Sequence, residues 1–207
     1  LNTCTSYSFT SGQSLSESRD EELIQLVRQG KTNAFEVLVK RYEMPLFNYI
    51  RRMVGSASDA EDLFQETFLR VHTHLDSFRV TARFRPWVYK IATNLCKDHL
   101  KYRRRHPQVS LDAGIGSENG SETALDRMEA PTPNPSELAS ATETAELLEA
   151  AVEKLSPKHR SVFLMARYEG MPYDEIAGML GIPVGTVKSR MNKAVQFLLS
   201  ELQETTK

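Results

Sequence analysis

A short run near the C-terminus has the side chains that base recognition needs. Lys188, Ser189, Arg190, Asn192, Lys193 and Gln196 fall close together, and no acid occurs from Val184 to Ser200. Lysine can reach the O6 and N7 acceptors of guanine, and Asn or Gln can pair with adenine through two hydrogen bonds. Projected at about 100° per residue, Gly185, Ser189, Asn192 and Gln196 share one helix side, flanked by Lys188 and Lys193. Val187, Met191, Ala194 and Leu198 take the opposite side, and Arg190 lies nearer the boundary. A donor-rich helix of this kind fits the DNA major groove; the competing reading is a solvated surface helix.

Two further sets point the same way. Lys90, Asn94, Lys97, Lys101 and Arg104 recur at three and four, which places them in one narrow arc of a helix away from Val88, Ile91 and Leu95. Such a row can track a phosphate backbone, with binding that weakens steeply in salt through counterion release. Just upstream, Phe78, Arg83, Phe84 and Trp87 interleave aromatic rings with cations, a stacking surface and a phosphate anchor for an unpaired base. Each ring taken alone is more often a core residue than a stacking partner, Trp87 being equally either. A fourth set differs in sign: Glu61, Asp62, Gln65 and Glu66 give one helix an acidic side, suited to a basic protein partner or to solvent.

No constellation supports catalysis. Cys4 and Cys96 are far apart, and His72 and His74 are two apart on a predicted helix, so neither pair makes a metal site. No phosphate-binding glycine loop or paired acids of catalytic spacing occur. The expectation is a protein without catalytic residues, metal or cofactor. No apolar run reaches the ~20 residues a membrane span needs, and no signal-peptide pattern opens the chain, so no membrane insertion and a cytoplasmic location are expected.

The elements that must position these side chains follow from charge and period. The 207 residues carry a net charge of only -1, but the charge is segregated. Arg79 to Arg105 contains nine basic residues against Asp98 alone, whereas Pro107 to Ala150 contains nine acids against Arg127 alone. Residues 1–19 are rich in Ser and Thr and poor in apolar side chains, which predicts a disordered tail. Residues 20–106 repeat apolar side chains at three and four, as in Phe35, Leu38, Tyr42, Leu46 and Ile50, and predict a helical domain. Within it, Ser58 and Glu61 read as a capping box opening a helix, and Pro86 suits the first turn of the next, running to about Arg104.

Residues 107–140, with Pro131, Pro133, Pro135 and scattered acids, predict a flexible acidic linker. Its charge could shield the basic helix in the free protein, or it could be a plain tether. Residues 141–207 predict a second helical domain, in which Ser156-Pro157 starts a helix as N-cap and first-turn proline. Small Ala177 and then Gly181 four residues later mark a helix-turn-helix that delivers the donor-rich helix. The fold class is therefore all-α, two small helical domains joined by a linker.

Four segments, in order, carry a family resemblance: Ala60-Glu-Asp-Leu-Phe-Gln-Glu-Thr-Phe, Phe84-Arg-Pro-Trp-Val-Tyr-Lys-Ile-Ala-Thr-Asn, Leu155-Ser-Pro-Lys-His-Arg, and Tyr173-Asp-Glu-Ile-Ala through Val184-Gly-Thr-Val-Lys-Ser-Arg. In these the chain resembles the extracytoplasmic-function class of bacterial sigma factors. The resemblance implies that residues 20–106 are a region 2 domain and residues 141–207 a region 4 domain. It implies that Asp62, Gln65, Glu66, Phe68 and Leu69 dock on the clamp coiled coil of the largest subunit of core RNA polymerase, with the flap of the second-largest subunit as a further contact. It implies that the segment from Ser77 to Trp87 helps melt the minus-10 element, that the basic row holds the melted strand and upstream duplex, and that the second domain reads the minus-35 element. An anti-sigma protein is the expected regulator. The alternative is a polymerase-independent regulator that reads a near-palindromic duplex as a dimer.

Overall fold

The computed structural model describes residues 15–79, 83–106, 145 and 147–205. Among them every regular element is helical. A 3-10 turn, Leu15–Glu17, leads into α1, Asp20–Arg28, followed by α2, Thr32–Val54, α3, Ala57–His74, and α4, Phe84–Arg105. A helix over 147–154, α5, opens the second unit, which continues with α6, Pro157–Arg167, α7, Tyr173–Leu180, and α8, Val184–Thr205. Residues 15–19 pack with the first unit: Ser18 is buried, its carbonyl accepts from Arg41 Nη2 at 2.8 Å, and the Arg19 N–H donates to the Glu22 carboxylate at 3.1 Å while the Glu22 N–H returns to the Arg19 carbonyl at 3.0 Å. The linker and most of the Ser/Thr-rich tail lie outside the described residues.

Local chemistry sets the boundaries. Gly55 ends α2 in the left-handed region at φ 79°, a conformation glycine adopts without steric cost, and its N–H closes onto the Arg51 carbonyl at 2.8 Å. The cap of α3 is Ser56 and not Ser58: the Ser56 hydroxyl accepts from the Asp59 N–H at 3.3 Å, and Ser58 Oγ pairs with Ser56 Oγ. Two serines two residues apart both satisfy the spacing for a cap, and the end of α2 at Gly55 selects the first. The N-cap of α4, Arg83, offers no acceptor, so Glu21 of α1 supplies one, taking the Phe84 N–H at 3.2 Å.

The first unit packs α2, α3 and α4 around Leu38, Leu46, Ile50, Met53, Val71, Val88 and Ala92, all fully buried. At its centre Thr93 Oγ1 donates to the Tyr89 carbonyl at 2.6 Å, so at 2.7 Å Tyr49 is the donor to Thr93. The buried hydroxyls are thereby satisfied in sequence. Cys96 is buried beside them, and burial pushes its thiol up to about 12. In the second unit Val162, Leu164, Met165, Ile176, Val187 and Ala194 form the core.

The two units are packed against each other. Arg160 of α6 donates Nη1 to the Met53 carbonyl at the end of α2 at 2.6 Å, Arg85 Nη2 of α4 reaches the Glu169 carbonyl at 2.5 Å, and the Arg52 guanidinium lies over the Tyr168 ring, 4.3 Å from its centroid.

Candidate nucleic-acid and polymerase interfaces

The helix-turn-helix is built as its spacing predicts. Gly181 ends α7 at φ 65°, the Ile182 N–H returns to the Ala177 carbonyl at 3.1 Å, and the Thr186 N–H takes the Pro183 carbonyl at 2.9 Å to start α8. Val187, Ala194 and Leu198 are buried, while Lys188, Ser189, Asn192, Lys193 and Gln196 are exposed together on the other side. Met191 is half-buried, not a full core residue. Arg190 is half-buried, near enough to Lys97 of α4 for their charges to repel.

The basic row on α4 is a continuous feature. Lys90, Asn94, Lys101 and Arg104 are exposed, and among the described residues none of Lys90, Lys101 or Arg104 pairs with a carboxylate. Lys97 is half-buried; burial first, and then Arg190, hold its ammonium below the ordinary lysine range. Arg103 instead donates to Asp59 of α3 at 3.2 Å, and so ties the row to the bundle. The cations of the last turn also complement the negative end of the helix dipole.

The aromatic set is corrected by the structure. Phe78 and Phe84 are core side chains, 5% and 0% exposed, stacked edge-on with ring centroids 6.2 Å apart. Neither offers a face to a base. They are buried because Phe78 closes the turn after α3 and Phe84 begins α4 directly above Tyr42, at 5.3 Å. Trp87 is half-buried, 4.8 Å from Phe78, and keeps part of its surface in solvent. Arg83 is exposed; residues 80–82 of the loop lie outside the described residues.

The acidic side of α3 presents Asp62 and Gln65 to solvent, with Leu69 62% exposed beside them. Glu66 is held by Arg70, whose Nε donates at 2.7 Å. Phe68 does not belong to this surface: it is 6% exposed and packs on Phe64 and Phe35, at 5.1 and 6.2 Å between centroids. Residue 68 lies four after Phe64 and three before buried Val71, on the face turned inward, whereas 69 turns out.

Residues that sequence reasoning did not single out hold the seam between the units. Arg160, 7% exposed, gives Nη1 to Met53 O and Nη2 to the carbonyls of Glu153 and Leu155, the last at 3.1 Å. Glu169 accepts from Tyr89 Oη, and Glu175 takes Arg83 Nη1 at 3.3 Å. Their types gave no signal, because an acid or arginine on a helical surface has the same sequence signature whether a neighbour covers it or not.

Comparison with known proteins agrees with this architecture. The sigma-70 region 2 family model matches residues 38–106, and the sigma-70 region 4 model matches residues 145–198. The chain is 32% identical over 181 residues to the ECF RNA polymerase sigma factor SigW of Bacillus subtilis, covering 87% of this chain and 95% of that one. In fold it is similar to CnrH, solved in complex with the cytosolic domain of CnrY, with a TM-score of 0.65 at 24% identity, covering 90% of this chain and 99% of CnrH. It is also similar to the sigma factor RpoE, solved with the anti-sigma factor NepR from Bartonella quintana, with a TM-score of 0.54 at 21% identity over 77% of this chain and 90% of that one. The chain belongs to the extracytoplasmic-function class of sigma-70-family RNA polymerase sigma factors. Its function is therefore promoter recognition and DNA melting on behalf of bacterial core RNA polymerase, and its class consists of transcription initiation factors.

Proposed function

We propose a division of labour between the surfaces. Lys188, Ser189, Asn192, Lys193 and Gln196 of α8 read the minus-35 duplex, with Arg190 at the edge of that contact. The row Lys90, Asn94, Lys97, Lys101 and Arg104, with Arg83 and the exposed part of Trp87, holds the minus-10 strand as it is melted. Asp62, Gln65, Glu66 and Leu69 meet the clamp coiled coil of core polymerase, and residues 141–207 meet its flap. The chain has no catalytic centre of its own: polymerase supplies the chemistry, and this protein lowers the cost of opening DNA by binding unpaired bases. It acts where polymerase acts, in the cytoplasm; among the described residues no helix is long and apolar enough to cross a membrane.

The observation that carries the reading is the continuous α4 row, whose cations have no carboxylate partner among the described residues, together with an acid-free α8 face. A solvated face ordinarily mixes both signs. RpoE was solved with the anti-sigma factor NepR, and CnrH with the cytosolic domain of CnrY; the first of these supports an anti-sigma protein as the regulator here.

Asn192→Ala and Lys193→Ala test the assignment of α8. Each is expected to lower discrimination at one minus-35 position by about 1 to 3 kcal/mol. Transcription from a promoter library randomised at the minus-35 element measures it, and unchanged base preference in both variants would remove α8 from that role.

A further inference from the structure

The helix α1 holds both ends of the connection from α3 to α4. Arg28, in its last turn, gives Nε and Nη2 to the Leu75 carbonyl at 3.1 and 2.5 Å. The same Nη2 also reaches the carbonyls of Asp76, at 3.1 Å, and of Phe78. One guanidinium thus gathers the carbonyls of the turn that follows α3, at the negative pole of that helix. Glu21, about two turns earlier on the same side of α1, accepts from the Phe84 N–H at 3.2 Å, where α4 begins.

These contacts converge on one ring. Phe78 and Phe84, whose backbones Arg28 and Glu21 hold, are the side chains on which Trp87 rests, their centroids 4.8 and 5.9 Å from its own. Both phenylalanines are buried, while Trp87 keeps part of its surface in solvent and Arg83 is exposed beside Phe84. Arg28 and Glu21 are themselves half-buried and belong to none of the surfaces assigned above to DNA or polymerase. They touch the backbone beneath the indole and leave its exposed part free.

We propose that Arg28 and Glu21 are positioning residues for base capture: by fixing the backbone at Phe78 and Phe84, they hold Trp87, with Arg83 beside it, ready to receive an unpaired base and its phosphate. The proposal rests on the reading of Trp87 and Arg83 as contacts of the minus-10 strand. Stacking strengthens binding only by what is left after the ring and its support have been ordered, so a ring already held binds a base more tightly than one ordered on contact. Arg28 makes several charged hydrogen bonds and Glu21 accepts one, so Arg28 has the larger effect.

The test compares two fluorescein-labelled probes on the full-length protein: a single strand of mixed sequence and an abasic strand of the same length. The ratio of the two affinities reads base stacking apart from phosphate attraction. Arg28→Ala is expected to lower the preference for the base-bearing strand by about threefold or more, and to have no further effect in a Trp87→Ala background. A merely structural loss would weaken both probes together and leave the ratio unchanged. Trp87 is the single tryptophan of the chain, so acrylamide quenching of its fluorescence is expected to rise in Arg28→Ala. Glu21→Ala is expected to show part of the same loss and serves if Arg28→Ala does not fold; Glu21→Gln, whose amide oxygen still accepts from the Phe84 N–H, is expected to keep the wild-type ratio. A wild-type ratio in folded Arg28→Ala, or in Glu21→Ala, overturns the proposal. A wild-type ratio in Trp87→Ala shows instead that Trp87 does not contact the strand, and the underlying reading falls with the proposal.

Discussion

Arg160→Ala is expected to destabilise the protein by about 3 kcal/mol or more, a large share of the roughly 5 to 15 kcal/mol that holds a domain folded. The side chain is 7% exposed and serves three carbonyls, Met53, Glu153 and Leu155, each of which loses a charged donor when it is removed. Glu153 and Leu155 end the first helix of the second unit, and Met53 lies in the last turn of α2, so one guanidinium ties two helix ends across the seam. Cations at such ends also meet the negative pole of each helix dipole. Arg160→Lys keeps the charge but not the planar fork, and is expected to recover less than half of the loss. Urea unfolding measures both: a lower midpoint with an unchanged slope is the expected result. A loss below about 1 kcal/mol for Arg160→Ala would show that these bonds contribute little.

The second large effect concerns the row on α4. Lys90→Ala/Lys101→Ala/Arg104→Ala is expected to weaken promoter-strand binding by one to two orders of magnitude at low salt, and to reduce the slope of log affinity against log salt by about 3, roughly one for each phosphate left without its cation. The residues are exposed and among the described residues make no ion pairs, so folding should be unaffected. A salt titration by anisotropy separates the two components. An unchanged slope would mean the row faces solvent in the complex.

What could be read from sequence, and what could not, divides along the range of the interactions. The α7–α8 turn was legible because Gly181 occupies a left-handed position, and the face of α8 was legible because buried Val187, Ala194 and Leu198 recur at helical spacing. Phe68, Phe78 and Phe84 were not: an aromatic ring suits both core and a stacking surface, and only the meeting of α2, α3 and α4 decides. Ser58 was mistaken for a cap because the end of α2 cannot be fixed to within two residues by period alone. The structural role of Arg160 was not legible either, since charge alone does not distinguish a cation facing a helix end from one facing DNA. The seam itself was invisible, because it depends on pairs such as Tyr89 and Glu169 that lie 80 residues apart.

The most direct test of the central claim, that α4 and α8 address two promoter elements on behalf of polymerase, is run-off transcription with purified bacterial core enzyme on a genomic fragment library, sequencing RNA 5′ ends with and without the protein. The expected result is a set of starts that appear only with the protein and share a minus-10 and a minus-35 element at fixed spacing. Starts identical with and without it, in a preparation shown to be free of anti-sigma protein and paired with cognate core polymerase, would contradict the account.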